Sequence, residues 1–555
     1  MMSHESRVNG AELLAGLIAR WSRSGDTPAP VFHVPGEGAL ELLDALAEAR
    51  PALRLITCRH EGGMAYMAQA AGQVRDLPGI AVVGRAPGAL NAALALHTAW
   101  TDAAPMILIV GQASEGQSGR EAFLGADFRQ ALAPMAKWVG HVTDAARLPE
   151  AMQRAWSTAL SGQRGPVVLI VAEDVWHQQV PDPAPLPRPA PVRAGAAPAA
   201  VAEIAARLAR AARPVAIVGG TGWQAADLAA LQGWAEAQAM PVVTSYRRRD
   251  LLDADSPAMC GEVGIGADPA LTALLAEADL LLVAGMRLGE INTFAAGGFG
   301  GYRLLDAPVP AQALIHVHPD LSELNRVYRA DPAICADPGG LFRALDPAAP
   351  VPEERAAWRD RLRAARLAFT TGKPCPGPLD LRAVCAALAE ALPEDAIVTT
   401  GAGAYAHWPQ RYLPHRRPGT CLGPKSGTMG YGLPAAIGAQ ASLPGRRVVA
   451  FAGDGCFLMH GEELATAALY KLPVLTIVVN NSSFGAIAAN QQRAFGRTTG
   501  TDLAPVDFAT YAAAMGVPGH RVARTADFAP ALRAALAADG PALIELVTGP
   551  EAMKP

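Results

Sequence analysis

Residues 450–485 have the sequence AFAGDGCFLMHGEELATAALYKLPVLTIVVNNSSFG, in which an aspartate between two glycines precedes a pair of asparagines. The 24 residues 456–479 separate the second glycine from that pair. The runs VVAFA and PVLTIVV, which precede Gly453 and Asn480, are almost entirely apolar. Such runs are typical of parallel strands that helices cover on both faces. The intervening HGEELATAALYKL predicts a helix, so the stretch as a whole predicts one β–α–β unit.

This unit would bring Asp454 and Asn481 together at the carboxyl edge of a parallel sheet, where open α/β sheets bind their ligands. A carboxylate and an amide oxygen are hard ligands that suit Mg²⁺, an ion that commonly bridges to a phosphate group. Gly455 allows close approach of the backbone, and the N–H groups that begin the next helix can bind phosphate charge. The sequence therefore predicts a clamp for Mg²⁺ and a diphosphate.

The alternation of apolar strands and Ala/Leu-rich helices runs through all 555 residues, a chain too long for a single core. The Pro-rich stretch PDPAPLPRPAPVRAGAAP and the segment from Asp346 to Pro378 interrupt this alternation. We therefore predict an α/β fold of three doubly wound parallel-sheet domains. The predicted domains are residues 1–180, 199–345 and 379–555, with linkers at 181–198 and 346–378.

Charge and cysteine content exclude several functions. The net charge is −4, and no block of like charge is long enough to attract nucleic acid or a membrane surface. The seven cysteines form no CxxC pair, which favours reduced thiols over disulfides or a zinc site. The N-terminus does not resemble a secretory signal, and no segment has the roughly 20 apolar residues needed to span a bilayer. We expect a cytoplasmic protein that binds neither nucleic acid nor membranes.

The GDG motif followed by 24 residues and NN resembles the signature of thiamine diphosphate (ThDP) enzymes. From Asn9 to Pro550 the chain resembles the acetolactate synthase-like branch of that family. The resemblance implies a pyrimidine-binding domain, a central domain and a diphosphate-binding domain, in that order. It also implies that Asp454, the Asn481 side chain and the Ser483 carbonyl hold Mg²⁺. The residues that would line the diphosphate are Gly403, Ala404, Tyr405, Gly455 and Cys456, with Phe484 and Gly485 beside them.

Glu61 and Met429 complete the implied cofactor site. Glu61 follows the strand LRLITC, and its apolar neighbours Met64 and Met67 disfavour the charged carboxylate, so it is a candidate proton partner. By the resemblance, Glu61 bonds N1′ of the aminopyrimidine, Met429 supports the bent cofactor and the Gly427 carbonyl accepts from the 4′-amino group. The resemblance further implies that Glu61 reaches a cofactor held by another subunit. We therefore expect a homodimer or homotetramer with active sites at the subunit interface.

The residues on the substrate side indicate the class of reaction. Glu37 lies where related decarboxylases carry an acid or a hydroxyl, and it is a candidate acid or base. Ile487 replaces the glutamate that handles the final proton in pyruvate decarboxylases, which favours transfer of the fragment to a second carbonyl. Leu124 and the pair Ala489–Asn490 depart from acetolactate synthases, so acetolactate itself is in doubt.

Three further residues are candidates for this side of the site. Gln112 is a candidate for the pocket lining, and so is His97, although we prefer to interpret His97 as a hydrogen-bonded core histidine. Arg85 is a candidate anchor for a substrate carboxylate, with a structural role as the preferred interpretation.

Several functions remain open at this point. The first is decarboxylation of a 2-oxo acid with ligation of the fragment to a second carbonyl, with 2-oxo acids or aldehydes as substrates. The second is plain decarboxylation, or lysis of a 2-hydroxy ketone as in benzaldehyde lyase. The others are a flavin or nicotinamide oxidoreductase and a protein that binds ThDP without catalysis. The resemblance allows a FAD in the central domain, but TSYRRRDLL and HVHPD depart from the flavin-binding stretches and disfavour it.

Overall fold

The computed structural model describes residues 6–183, 185–294, 301–372, 374–549 and 555. The chain divides into two compact units. Unit 1 comprises residues 1–192, 397–404 and 426–550, and unit 2 comprises residues 193–396, 405–425 and 551–555. Within the described ranges, no helix combines the length and the apolarity that a bilayer-spanning helix needs.

The N-terminal part of unit 1 is a parallel sheet between helices. Its elements are β1 (Arg7–Asn9), α1 (Gly10–Trp21), β2 (Ala29–His33), α2 (Leu40–Glu48), β3 (Leu53–Thr57), α3 (Glu61–Arg75), β4 (Gly79–Gly84), α4 (Arg85–Asp102), β5 (Met106–Gln112), α5 (Phe128–Leu132), β6 (Trp138–Val142), α6 (Leu148–Leu160), β7 (Pro166–Ala172) and β8 (Gln179–Pro181). The sheet order is β3-β2-β4-β5-β7-β6, and β1 pairs with β8 in a separate antiparallel sheet. Because all its pairings are parallel, the carboxyl ends of these strands meet at one edge.

Unit 2 contains the second parallel sheet. Its elements up to residue 396 are α7 (Pro198–Arg210), β9 (Pro214–Val218), α8 (Ala225–Ala237), β10 (Val242–Thr244), β11 (Met259–Glu262), α9 (Pro269–Ala276), β12 (Leu280–Ala284), β13 (Ala313–His318), β14 (Ala333–Cys335), α10 (Pro338–Ala344), α11 (Glu354–Thr371) and α12 (Leu381–Ala391). The sheet order is β11-β10-β9-β12-β13-β14, and all its strands are parallel. The chain adds β10 and β11 on one side of β9 and β12, β13 and β14 on the other, so the strand order reverses between β9 and β12. A crevice at such a reversal is the usual ligand position of a doubly wound sheet.

The last part of the chain builds the third sheet. Its elements are β15 (Ile397–Thr400), α13 (His407–Tyr412), β16 (Cys421–Leu422), α14 (Gly432–Ser442), β17 (Val448–Gly453), α15 (Asp454–Phe457), α16 (Leu464–Leu469), β18 (Val474–Asn480), α17 (Gly485–Phe495), α18 (Phe508–Ala514), β19 (Gly519–Val522), α19 (Thr525–Leu536) and β20 (Ala542–Val547); of these, α13 and β16 belong to unit 2. The unit 1 strands pair in parallel in the order β15-β17-β18-β20-β19. The prediction of three doubly wound parallel-sheet domains is confirmed.

Burial explains why the central strands are so apolar. Every residue of β7 and β18 is buried, because helices cover both faces of the sheets. On one face of the first sheet, α1, α2 and α6 pack into a cluster in which the rings of Trp21 and Trp156 meet edge to face at 5.8 Å. On the other face, α3 packs against α14, so the first and third sheets are joined within unit 1.

The predicted helix between the two motifs differs in detail. Instead of one helix over His460–Leu472, the structure has a 3₁₀ turn at Gly461–Glu463 followed by α16. The Glu463 carboxylate accepts hydrogen bonds from the backbone N–H groups of Arg59 and His60, at 3.1 and 3.0 Å from its Oε1 atom. A long-range contact of this kind is not visible in local helix propensity.

Candidate active site

The predicted β–α–β unit brings Asp454 and Asn481 together. The strands β17 and β18 pair in parallel, with Gly453 opposite Val479, so both motifs lie at the same sheet edge. Asp454 is the first residue of α15, and Asn481 directly follows β18. The Asp454 Oδ2 atom accepts hydrogen bonds from the backbone N–H groups of Asn481 (3.2 Å) and Ser483 (3.3 Å). The two loops are therefore joined through the carboxylate.

The oxygen atoms at this edge suit a hard divalent cation. Asp454 is 5% exposed, and burial raises the pKa of its carboxyl above the usual value, while backbone N–H donors from Gly455, Ser483 and Asn481 oppose that shift. The Asn481 Oδ1 atom accepts from the Ser483 N–H at 3.3 Å, which places the amide oxygen beside the same turn. A buried carboxylate next to an amide oxygen forms a donor set of the kind that Mg²⁺ uses.

The loop after Asn481 closes against the start of α15. Phe484 N donates to the Thr501 carbonyl at 2.8 Å, and Leu503 N donates to the Ser482 carbonyl at 2.9 Å. A Cβ atom at Gly455 would lie 2.6 Å from the Phe484 ring, so only glycine permits this approach. The predicted residues Gly455, Cys456, Ser483, Phe484 and Gly485 therefore belong to one cluster of loops.

Met429 lies in a tight turn between two glycines with positive φ, Gly427 (φ 71°) and Gly430 (φ 85°). The Gly430 N–H donates to the Cys456 Sγ atom at 3.2 Å, which attaches this turn to α15. Met429 is half-buried, and Gly427 is exposed. The turn thus lies next to the start of α15, where the resemblance places the support for the cofactor.

The segment after β15 carries the other predicted diphosphate residues. Gly403 is exposed and has φ 149°, while Ala404 and Tyr405 are buried. Gly403 and Ala404 belong to unit 1 and Tyr405 to unit 2. A Cβ atom at Gly432 would lie 3.3 Å from the Gly401 N atom, so the start of α14 lies against this segment.

Glu61 is the first residue of α3 and is half-buried. The helix begins after His60, whose Nδ1 atom accepts from Gly62 N at 3.0 Å. The side chain of Glu61 is held from a neighbouring helix. Its Oε2 atom accepts a hydrogen bond from Asn91 Nδ2 of α4 at 2.9 Å.

Two of the substrate-side candidates, Glu37 and Gln112, lie at the carboxyl ends of strands of the first sheet, and Ile487 lies on a helix that follows the third. Glu37 is exposed, in the turn between β2 and α2, and Gln112 is the last residue of β5. The Gln112 amide lies 3.4 Å from the His141 Nε2 atom, and that ring atom lies 2.9 Å from a Glu115 oxygen. Ile487, on α17, is 53% exposed. The sequence analysis did not identify His141 or Glu115, because no local motif marks them.

Two alternatives left open by the sequence can now be decided. Arg85 is 9% exposed and pairs with Glu173 at 2.8 Å, which favours its structural role over a free carboxylate anchor. His97 lies on the exposed face of α4, so the prediction that it is a core histidine is wrong. The helical pattern of α4 indicates burial of the positions that include Ala92, Ala95 and Ala99, and His97 lies outside that face.

Glu463 and Asn91 are further residues that the sequence analysis missed. Glu463 is fully buried and fixes the peptide that directly precedes Glu61. Burial raises the pKa of Glu463 above its usual value, while hydrogen bonds from Thr466, His60 and Arg59 oppose the shift. Asn91 and Glu61 are 30 residues apart in the sequence, so only the packing of α3 against α4 brings the two side chains together.

Three parallel-sheet domains with a carboxylate and an amide oxygen at the carboxyl edge of the third form the arrangement in which open α/β sheets bind their ligands. Three family models match the chain in the same order. They are the thiamine pyrophosphate enzyme N-terminal TPP binding domain (residues 25–132), the central domain (201–345) and the C-terminal TPP binding domain (401–546), TPP being another name for ThDP.

Similar proteins extend the match over nearly the whole chain. The acetolactate synthase isozyme 1 large subunit of Escherichia coli (strain K12) is 30% identical over 561 residues, covering 98% of this chain and 94% of the relative. The acetolactate synthase large subunit of Parasynechococcus marenigrum is 30% identical over 570 residues, covering 97% and 87%. The isozyme 2 large subunit of Escherichia coli is 29% identical over 540 residues, covering 93% and 92%. The chain therefore belongs to the thiamine pyrophosphate enzymes and is of the acetolactate synthase type.

Proposed function

We propose that the protein is a ThDP- and Mg²⁺-dependent carboligase that decarboxylates a 2-oxo acid and transfers the remaining fragment to a second carbonyl compound. The observation that carries this proposal is the convergence of Asp454 and Asn481 at one sheet edge, on a chain that also presents Glu61 at a helix start. When bound, ThDP supplies a nucleophilic carbon that adds to a carbonyl group.

Each part of the site has a distinct role in this proposal. Asp454, the Asn481 amide oxygen and the Ser483 carbonyl would hold Mg²⁺, and the N–H groups that begin α15 would receive the diphosphate. Met429 would support the bent cofactor, with the Gly427 carbonyl accepting its amino group. Glu61 would hold the proton at N1′ of the pyrimidine. The remaining residues that we assign to the cofactor are Gly403, Ala404, Tyr405, Gly455, Cys456, Phe484 and Gly485.

The residues on the substrate side of the proposed site favour ligation to a second carbonyl compound over release of an aldehyde. Ile487 offers no proton to a fragment leaving as an aldehyde, so a second carbonyl compound is the expected acceptor. The amide of Gln112 is a candidate donor to the substrate carbonyl. Glu37 supports the second candidate, plain decarboxylation or lysis of a 2-hydroxy ketone, because an exposed carboxylic acid at this turn could supply the missing proton.

The decisive experiment compares the wild type with Glu61→Gln. The variant should retain ThDP binding and lose turnover, because an amide cannot exchange the proton at N1′. Full activity in the variant would contradict the proposal. Mass spectrometry of products from a panel of 2-oxo acids and aldehydes then separates the candidates: an acyloin or a 2-hydroxy-2-acyl acid supports ligation, and free aldehyde alone supports decarboxylation.

The central domain is proposed to act without FAD. At the reversal between β9 and β12, Trp223 Nε1 donates to the Gly219 carbonyl at 2.9 Å, and the Arg248 guanidinium donates to the Gly220 carbonyl. Both carbonyls therefore bond to side chains of the central domain itself, and the case against FAD rests on the departure of TSYRRRDLL and HVHPD from the flavin-binding stretches. A flavin absorption band in the purified protein would contradict this proposal and favour the oxidoreductase alternative.

Homodimers or homotetramers are the proposed working assemblies. Helix α4 exposes an apolar stripe formed by Leu90 (50% exposed), Leu94 (52%) and Trp100 (37%). This α4 stripe lies on the helix that contacts Glu61 through Asn91. A second copy that covers the stripe would therefore be adjacent to Glu61, as expected if Glu61 serves the cofactor of the partner subunit.

A further inference from the structure

We propose that Asn91 is a positioning residue that fixes which oxygen of Glu61 handles the proton of the cofactor. This inference rests on the proposed function, because it concerns how Glu61 is held for its task. The inference is based on the contacts between the Glu61 carboxylate and helix α4.

Two residues on one face of α4, Asn91 and Gly88, lie against this carboxylate. Asn91 donates from Nδ2 to the Glu61 Oε2 atom at 2.9 Å. Three residues earlier on the same helix, a Cβ atom added at Gly88 would lie 3.3 Å from the Glu61 Oε1 atom. Residues three apart on a helix share a face, so the carboxylate lies flat against α4 between them. A side chain at position 88 would disturb this arrangement.

The orientation of the Asn91 amide follows from chemistry. An ionised carboxylate has only acceptors, so the amide nitrogen, and not its oxygen, must face Glu61. This hydrogen bond keeps Oε2 occupied as an acceptor, and the proton that Glu61 gives or takes is therefore carried by Oε1. Within the described residues, Oε1 accepts no hydrogen bond and remains available to N1′ of the pyrimidine.

The hydrogen bond from Asn91 also stabilises the negative charge of the Glu61 carboxylate. A donor to an ionised acceptor forms a charge-assisted hydrogen bond, which stabilises the charged form. The start of α3 acts in the same direction through its helix dipole. Apolar neighbours such as Met64, which is fully buried, act in the opposite direction. Asn91 is the member of this set that can be changed without altering the core.

The test measures activation of the cofactor rather than turnover. The rate at which the C2 proton of bound ThDP exchanges with deuterium, followed by NMR after an acid quench, reports the action of Glu61 without any substrate. For Asn91→Ala we expect this rate to fall by about tenfold, the usual effect of a lost charge-assisted hydrogen bond. The affinity for ThDP should not change.

Asn91→Asp provides the sharper comparison because it preserves the shape of the side chain. When protonated, the new carboxylic acid can donate to Glu61 and restore the exchange rate. When ionised, it cannot donate, and it repels the neighbouring carboxylate. The rate relative to the wild type should therefore decrease as the pH rises, whereas Asn91→Ala places no titratable group at this position and should show no such decrease. A merely structural role for Asn91 would give both variants the same pH dependence as the wild type.

Gln232→Ala is the matched control, because Gln232 also donates an amide hydrogen bond to a helical carboxylate, Glu236, at 2.9 Å, but in the central domain. It should leave C2 exchange unchanged. Unchanged exchange in both Asn91 variants would overturn the inference, and so would loss of ThDP binding in both. A wild type that does not accelerate C2 exchange at all would instead refute the proposed function, so the two failures are distinguishable.

Discussion

At the scale of single residues, burial suits Asp454 to its proposed role as a metal ligand. Its carboxylate lies in a protein environment that disfavours charge, and backbone N–H groups compensate only in part. A divalent cation would provide the missing positive charge without a change of fold. The same residue joins the loops after β17 and β18, so charge and loop geometry are coupled at one side chain.

The raised pKa of the Asp454 carboxyl predicts that Mg²⁺–ThDP affinity depends on pH. Because the pKa of Asp454 is raised in the folded protein, protons compete with the metal at higher pH than for an ordinary aspartate. Affinity should be constant at high pH and fall as the pH decreases through that raised pKa, by up to about tenfold per unit below it. Titration calorimetry from about pH 8 to about pH 5 measures this. Asp454→Asn should bind more weakly, and the contribution of this group to the pH dependence should disappear.

Sequence motifs indicate single residues that lie within them, but they do not indicate residues that act through long-range contacts. Asp454 and Asn481 are recognisable because each follows an apolar strand. Asn91 and Glu463 carry no such signal, since each acts on the Glu61 segment across a contact between helices or domains. His97 was misplaced because composition alone does not show which side of α4 faces solvent.

At the scale of elements, the contact between α3 and α14 holds the helix that carries Glu61. A Cβ atom at Gly438 would collide with the backbone carbonyl of Met67, so the two helices touch backbone to backbone. All residues of α14 are buried. Glycine at position 438 therefore determines how closely α3 approaches the third sheet.

Gly438→Ala should therefore destabilise the protein and displace α3. The expected cost is about 1–3 kcal/mol, the range typical of overpacking in a core. Catalytic activity should fall together with the melting temperature, because α3 begins at Glu61. Gly445→Ala is the control: its Cβ would meet nothing within 4 Å, so it should be neutral. A Gly438→Ala protein with wild-type melting temperature and activity would show that α3 tolerates the displacement.

Edge strands carry a weaker sequence signal than central strands. Central strands such as β5, β12 and β18 are long apolar runs, whereas β6, β11, β14 and β19, which lie at the edges of their sheets, have no such runs. Edge strands are covered on fewer sides and need fewer apolar residues; GHRV of β19 has one apolar residue besides its glycine. The inner strand β2, APVFH, also carries a weak signal, because it is short and has a proline within it.

At the scale of the whole molecule, two central residues of the proposed site lie in different domains of unit 1. Glu61 belongs to the first sheet, and Asp454 belongs to the third. The sequence predicts three domains from periodicity, but periodicity does not show which subunit completes each site. The α4 stripe, with Leu90 and Leu94 half-exposed, indicates where a second copy would bind.

Mixing two inactive variants tests this arrangement. If each site combines Glu61 of one subunit with Asp454 of another, mixing Glu61→Gln with Asp454→Asn creates heterodimers with one intact site. Random re-association should then restore about a quarter of the wild-type sites, because half of the dimers are mixed and each has one working site of two. Each variant alone should stay inactive at ThDP and Mg²⁺ concentrations too low to load Asp454→Asn. Leu94→Asp in both chains should prevent the recovery by placing a charge in the α4 stripe. Absence of recovery with demonstrated heterodimers would show that each chain builds its site alone.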